Sequence, residues 1–223
     1  MSDDTPAAGP EIPAHDPQGL ELARQIGAEN ARLKAGARWQ SVLGIDLNGK
    51  TLGIIGLGKL GTRVAKIAQA LEMKVIAWSQ NLTAEKAKAA GATLVSKEEL
   101  LRSSDFVTVH LQLSDRTRGL IGAKDLALMK PTAFFINTSR GPVADEKAIE
   151  AALKGKKIAG AAIDVYDVEP LALDHPFRTL DNILITPHLG YVTAENYKRF
   201  YVQMVEDIRA WLDGKPIRVI APK

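Results

Sequence analysis

Between Lys50 and Ser79 the chain reads KTLGIIGLGKLGTRVAKIAQALEMKVIAWS. Residues 52–55 form a short apolar run, and Gly56-Leu57-Gly58-Lys59-Leu60-Gly61 fits G-x-G-x-x-G. Val64, Ile67, Ala68 and Leu71 then recur at helical spacing before a second apolar run over 75–78. Strand, glycine turn, helix and strand in this order make a dinucleotide-binding βαβ unit. Each glycine has its own task in such a unit. Gly56 permits the tight turn off the strand, Gly58 lets the backbone approach a pyrophosphate without a Cβ in the way, and Gly61 lets the helix pack closely on the sheet. The anion rests on the amides and positive dipole end of a helix starting near Lys59. A bare G-x-G-x-x-G also occurs in unrelated glycine turns; the strand before it and the amphipathic helix and strand after it carry the assignment.

The alternation continues downstream. Strands are expected over 93–95, 105–111, 133–137, 158–164 and 183–186. Between them come a helix capped by Thr83 and running to Ala90, one opened by the capping box Ser96-Lys97-Glu98-Glu99, one over 124–129 stopped by Pro131, and one capped by Asp145 and running to Lys154. A long helix over 193–212 follows the last strand. The expected fold is α/β, a doubly wound parallel sheet of Rossmann type with flanking helices. Residues 1–18 hold four prolines and no apolar period, so they read as a disordered tail. A connecting helix over 19–35, with Leu20, Ala23, Ile26, Gly27, Asn30 and Leu33 on one face, and a linker complete 19–48; the dinucleotide-binding domain takes 49–192, and a helix and tail take 193–223.

Composition narrows the function. With 223 residues, 46% of them apolar, there is material for one or two domains with a proper core. The 29 basic residues are scattered among 26 acidic ones without a dense run, which argues against a nucleic-acid partner. There is no cysteine, hence no disulfide and no cysteine-bound metal, and His15 and His175 lack partners at metal-ligand spacing. No run approaches the ~20 apolar residues of a membrane span. The start of the chain has neither the basic nor the apolar region of a leader, so a cytoplasmic location is expected.

Ligands of doubly wound sheets bind outside the carboxyl ends of the strands, which draws attention to the residues just after each strand. Asn137-Thr138-Ser139-Arg140-Gly141, Asp164-Val165-Tyr166-Asp167-Val168-Glu169-Pro170 and Thr186-Pro187-His188-Leu189-Gly190 occupy three such places. They bring an arginine, a carboxylate and a histidine to the nicotinamide end of a bound dinucleotide. Singly, Arg140, Glu169 and His188 each look like a solvated loop residue. As a set behind three strands of one sheet, downstream of a dinucleotide fingerprint, they form a catalytic group. His110 reads as a packed or cofactor-adjacent histidine without a catalytic role.

From about Gly19 to Lys223 the chain resembles the D-isomer-specific 2-hydroxyacid dehydrogenase family, in its nucleotide-binding domain and flanking helices. GLGKLG, TVHLQLSDRTRGLIG, FINTSRGPVADEKAI, GAAIDVYDVEP and ITPHLGYVT carry the resemblance, in the family's order. It implies that Arg140 holds the substrate carboxylate and polarises the 2-oxo oxygen, a bidentate task suited to a guanidinium. It also implies that His188 is the acid in reduction and the base in oxidation, with Glu169 on its other nitrogen favouring the imidazolium form. By the same resemblance Gly56, Gly58, Lys59, Leu60 and Gly61 hold the pyrophosphate, and Ser79 stands at the adenosine ribose. Thr117 lies along the cofactor, Thr138, Ser139 and Arg140 flank the nicotinamide ribose, Asp164 bonds the carboxamide, and His188 and Gly190 complete the cofactor contacts.

Two departures from the family pattern shape the expectation. Where NAD enzymes carry an acid after the second strand, this chain has Ser79-Gln80-Asn81, with neither an aspartate to repel a 2′-phosphate nor an arginine to attract one. NAD is the expected cofactor and NADP the possible second. In place of the family's N-terminal substrate domain, a unit of ~100 residues, stands the polar tail. The first and last helices then expose apolar faces unless a partner chain covers them, so a homodimer is expected, with weak or no activity on 2-oxo or 2-hydroxy acids for the chain alone. Two alternatives stay open: an NAD(H)-binding module without turnover that acts through a partner, and a truncated gene product. Retention of Arg140, Glu169 and His188 favours an enzymatic ancestry, while the missing substrate domain favours one of the two alternatives.

Overall fold

In the computed structural model, which describes residues 17–220, the strands are β1 (Thr51–Ile55), β2 (Lys74–Trp78), β3 (Thr93–Leu94), β4 (Phe106–Val109), β5 (Phe134–Asn137), β6 (Gly160–Ile163) and β7 (Ile183–Ile185). They form a parallel sheet in the order β3-β2-β1-β4-β5-β6-β7. β1 lies between β2, with Thr51 opposite Lys74, and β4, with Leu52 opposite Phe106. The order reverses at this junction, so the crevice above the carboxyl ends of β1 and β4 is the topological switch point where ligands of such sheets bind.

The strands are buried on both faces, as a sheet with crossovers on either side requires; β4 and β6 have no exposed residue. Their side chains alternate between two cores. Leu52, Ile54, Phe106, Ile136 and Ala162 point to one, and Ile55, Val107, Phe135, Ala161 and Ile163 to the other. The first core is closed by Val64, Ala65 and Ala68 of α3 (Lys59–Ala70) and by Leu22 and Ala23, the second by Leu100, Leu101, Ile149 and Leu153. Helix starts follow the expected caps. The Thr83 hydroxyl accepts the Lys86 N–H ahead of α4 (Ala84–Ala89), Ser96 accepts the Glu99 N–H ahead of α5 (Lys97–Ser103), and Asp145 accepts the Lys147 and Ala148 N–H groups ahead of α7 (Glu146–Lys154). The Glu99 carboxylate itself takes the Ser103 hydroxyl. Between α5 and α7, the helix expected over 124–129 is a single turn, α6 (Ala123–Leu126).

The amino-terminal helix departs from expectation. Two helices stand where one was predicted, α1 (Pro17–Arg24) and α2 (Ile26–Lys34), because Gln25 adopts the left-handed conformation, φ 50° and ψ 40°. The Glu21 carboxylate accepts the Gly27 N–H across the break, at 2.7 Å. The turn reassigns the buried face: Gln18, Leu22 and Ala23 are buried, while Leu20, Ile26 and Leu33 of the predicted stripe are exposed. Pro17 and Gln18, assigned to the tail by sequence, begin α1; residues 1–16, His15 among them, lie outside the described residues.

The described residues divide into two compact units, one ending at His188 and one starting at Leu189. The second unit holds α8 (Ala194–Leu212), capped by the Thr193 hydroxyl on the Asn196 N–H. Within it Tyr191 stacks on Tyr197, and Arg218 pairs with Glu206 and Asp207. Among the described residues, no helix is long and apolar enough to cross a membrane.

Asp105, just before β4, ties the start of β1 to the connection that leads into β5. One carboxylate oxygen accepts the Thr51 N–H at the start of β1, at 2.8 Å, and the other pairs with Lys130 Nζ at 2.8 Å. Burial pushes the Asp105 pKa up, but the bonds from Lys130 and Thr51 outweigh it and hold the carboxyl below its usual range. Asp105→Ala is expected to destabilise the chain by about 1–3 kcal/mol at pH 7. A depressed carboxylate pKa contributes stability above the unfolded value and loses it as pH falls through the folded one. Thermal melts of parent and variant should therefore differ at pH 7 and converge in acid.

Candidate active site

The glycine turn has the geometry its three positions demand. Gly56 has φ 101°, and a Cβ there would sit 2.5 Å from the His110 carbonyl oxygen. Its N–H donates to the Trp78 carbonyl at 2.8 Å, which pins the turn to the end of β2. At Gly61 a Cβ would meet the Gly56 carbonyl oxygen at 2.3 Å, so α3 leans on the turn that precedes it. Gly58 is different: a Cβ there would meet nothing within 4 Å. The first bond at this helix start runs from the Thr62 N–H to the Gly58 carbonyl, at 2.9 Å. The amides of Lys59, Leu60 and Gly61 thus belong to the turn of a helix that has no carbonyl of its own to offer them. An exposed backbone cradle beside unsatisfied amides suits a pyrophosphate, and the residues present fit a dinucleotide. Ser79 follows β2 directly and is half-buried, with exposed Gln80 and Asn81 after it. His110, under the turn, has Nε2 3.0 Å from the Thr108 hydroxyl, and burial pulls its pKa down to about 4. It is a packed neutral histidine.

The Arg140 loop is wrapped around the buried Asn137 side chain at the end of β5. Asn137 Oδ1 accepts the Ser139 N–H at 3.1 Å and the Ser139 hydroxyl at 2.9 Å, and its Nδ2 donates to the Arg140 carbonyl at 3.0 Å. Arg140 itself is exposed, Nη1 donating to the Ser139 carbonyl, and Thr138 is half-buried.

Glu169 and His188 are brought into contact. Glu169 Oε2 lies 2.8 Å from His188 Nδ1, while Oε1 accepts the Tyr166 N–H at 2.9 Å. Burial pushes the Glu169 pKa up, but the bonds from His188 and Tyr166 and the nearby charges of His188 and Arg140 bring it below the ordinary value. All three expected catalytic residues therefore share one end of the sheet. His188 has φ 54°, and its N–H donates to the Thr186 carbonyl at 3.1 Å. Thr186 also donates its hydroxyl to the buried Asp164 carboxylate. The Tyr166 hydroxyl lies 2.8 Å from the Thr186 carbonyl and 3.1 Å from that of Ile163; burial and the Asp164 charge push its pKa up to about 12. An open cleft beside the pair is lined by Tyr166, Glu169, Pro170, Leu171, Thr186 and His188.

Asn137 and Tyr166 had no assigned role in the sequence reading. Asn137 was findable, since an asparagine at a strand end bonding the amide two residues on is a common loop device. Tyr166 carried no such signal. The Thr117 hydroxyl donates to the Gln112 carbonyl at 2.7 Å and accepts the Ser114 N–H at 2.8 Å, bracing its own loop. Gly190 lies in the unit that starts at Leu189. Among the described residues, no group of three or more acidic or histidine side chains is arranged to hold a metal ion.

The family model described as D-isomer specific 2-hydroxyacid dehydrogenase, NAD binding domain, matches residues 18–190. A glyoxylate reductase from Aeropyrum pernix is 42% identical over 184 residues, which are 82% of this chain and 55% of that protein. A D-3-phosphoglycerate dehydrogenase from Archaeoglobus fulgidus is 40% identical over 201 residues, 89% of this chain and 38% of that one. The chain thus spans 55% and 38% of the length of these two curated relatives. Its fold is similar to the crystal structure of a glyoxylate reductase from Paecilomyes thermophila, with a TM-score of 0.78 and 35% identity over 89% of this chain and 61% of that one. A glycine turn at the switch point, an arginine, glutamate and histidine set on the carboxyl rim, and this match over most of its length together mean that the chain belongs to the D-isomer specific 2-hydroxyacid dehydrogenase family, through its NAD binding domain.

Proposed function

We propose that this chain is the cofactor-binding and proton-transferring part of an NAD-dependent oxidoreductase that interconverts 2-oxo and D-2-hydroxy acids, with NADP as a second cofactor. The observation that carries this reading is the 2.8 Å contact between His188 Nδ1 and Glu169 Oε2 beside Arg140. Bound NAD(H) supplies or takes up the hydride at the substrate's C2. The chain's own residues do the rest. The backbone from Gly56 to Gly61 would hold the pyrophosphate, Ser79 the adenosine ribose, and Thr138, Ser139 and Asp164 the nicotinamide end. Thr117 contributes through the loop it braces.

Glu169, held ionised, accepts from Nδ1 of His188 and so sets the ring's tautomer. Nε2 is then the nitrogen that gives a proton to the 2-oxo oxygen in reduction and takes it from the 2-hydroxyl in oxidation. The Arg140 guanidinium holds the substrate carboxylate in a two-point contact. A homodimer in the cytoplasm is part of the same reading. Exposed Tyr201, Val205, Ile208, Trp211 and Leu212 on α8 support a covered apolar face. Light scattering should give twice the chain mass, and a monomer at all concentrations would remove the dimer.

Gly58→Val tests the cradle without disturbing the fold, since the added side chain meets no protein atom within 4 Å of its Cβ. Its melting temperature should match the parent's while affinity for NADH, followed by fluorescence, falls about tenfold or more. Equal affinities would place the cofactor elsewhere. Turnover is followed as NADH or NADPH oxidation with glyoxylate and hydroxypyruvate. His188→Ala should lower the rate about 10²- to 10⁴-fold. Equal rates would take His188 out of the mechanism, and NADH binding without turnover of any 2-oxo acid would favour the binding module.

A further inference from the structure

The loop that carries Glu169 is poorly placed to hold it by packing. Tyr166 is buried, but Asp167, Val168, Glu169 and Pro170 are all exposed. Beside the bonds that Tyr166 and Glu169 make, a polar clamp acts on its first peptide. The Asp167 N–H donates to Glu146 Oε1 at 2.8 Å. On the same peptide a Cβ at Gly141 would sit 2.0 Å from the Tyr166 carbonyl carbon and 2.5 Å from the Asp167 nitrogen, so the backbone of the 3-10 turn Gly141–Val143 lies directly against it. Glu146 is held in turn by His175, whose Nε2 lies 3.4 Å from Glu146 Oε2. His175 Nδ1 accepts the Phe177 N–H at 3.3 Å, which leaves Nε2 as the protonated nitrogen facing the carboxylate. The His175 ring also packs edge-on against buried Phe177, with centroids 4.7 Å apart.

We propose that Glu146, backed by His175, is a positioning residue that clamps the Tyr166–Asp167 peptide and thereby holds Glu169 opposite His188. The clamp also reaches the third member of the set. Gly141 follows Arg140 directly, so one short segment, from Arg140 to Glu146, sets the substrate-binding arginine and the histidine's partner relative to each other. Its electrostatic cost is visible: burial first, then the charges of Glu146 and Asp145, push the Asp167 pKa up, with Arg118 and His175 opposing. An amide acceptor in place of Glu146 would avoid that repulsion while keeping the bond. The inference rests on the oxidoreductase reading for its catalytic meaning, but the clamp is measurable without turnover.

The experiment is a carbon-detected NMR titration of the Glu169 side-chain carboxyl in the full chain, assigned with Glu169→Gln. It compares the parent with Glu146→Gln, Glu146→Ala and His175→Ala. Loss of the Glu146 charge alone would move the Glu169 midpoint down in both Glu146 variants, since a neighbouring negative charge is removed. The clamp requires the opposite sign in one of them. Glu146→Gln keeps an oxygen for the Asp167 N–H and leaves the midpoint depressed, whereas Glu146→Ala frees the loop and shifts it up toward the ordinary carboxylate value. His175→Ala should shift it up by a smaller step. A flat or downward response in Glu146→Ala overturns the proposal; if thermal melts show that variant unfolded, a flat response in His175→Ala overturns it instead. Where the parent turns over a 2-oxo acid, Glu146→Ala should lower kcat on the order of tenfold to a hundredfold with little change in KM, and Glu146→Gln should restore it. An upward shift in Glu146→Ala beside a parent that turns over no 2-oxo acid would keep the clamp and favour the binding module, whereas turnover by the parent with a flat titration in Glu146→Ala would keep the oxidoreductase reading and overturn the clamp.

Discussion

Parallel pairing is the constraint on which the rest of the molecule depends. A strand that must be joined in the same direction as its neighbour has to return by a crossover, so every strand-following loop emerges on the same rim of the sheet. β1 ends at Gly56, β2 at Ser79, β5 at the Arg140 loop, β6 at Asp164 and β7 at Thr186, all on that rim. Residues far apart in the chain become neighbours there without any dedicated long-range device. The crossover helices also bury both faces of the sheet, which leaves the rim as the place where polar groups can gather and still reach a ligand.

The polar groups on the rim form a connected set. Asn137 organises the Arg140 loop, Asp164 accepts the Thr186 hydroxyl, and Tyr166 reaches the Thr186 carbonyl while its own N–H holds Glu169. Buried polar groups are costly unless bonded, so each member of the set specifies the position of the next. Glu169 is thereby delivered to His188 as an ionised carboxylate although it sits on an exposed loop. At the other end of the crevice the chain uses backbone instead of side chains: Gly61 rests on the Gly56 carbonyl and Gly58 leaves open space above the helix start. One end thus suits an anion recognised by amides, the other a reaction that needs a fixed proton carrier.

Where local chemistry decides structure, the sequence was legible. The caps at Thr83, Ser96 and Asp145 begin helices as expected, because a short oxygen-bearing side chain before an amphipathic run satisfies amides in its own first turn. Strand ends differ from expectation by a residue or two, and the ladder continues past them, as where the His110 N–H donates to the Ile55 carbonyl. The first helix was misread because nothing in the type of Gln25 announces a left-handed turn. The Glu21 carboxylate on the Gly27 amide and the burial of Leu22 and Ala23 against the sheet accompany it, and the burial is a tertiary fact.

By itself the sequence determined the period of each element, the glycine spacing of the dinucleotide turn and the residue types placed after each strand, since these rest on interactions within a few positions. Tertiary structure decided which of those residues meet. Glu169 reaches His188 across 19 positions and Glu146 reaches Asp167 across 21. Both contacts exist because strand order and a common strand direction set the rim, and no local pattern encodes them.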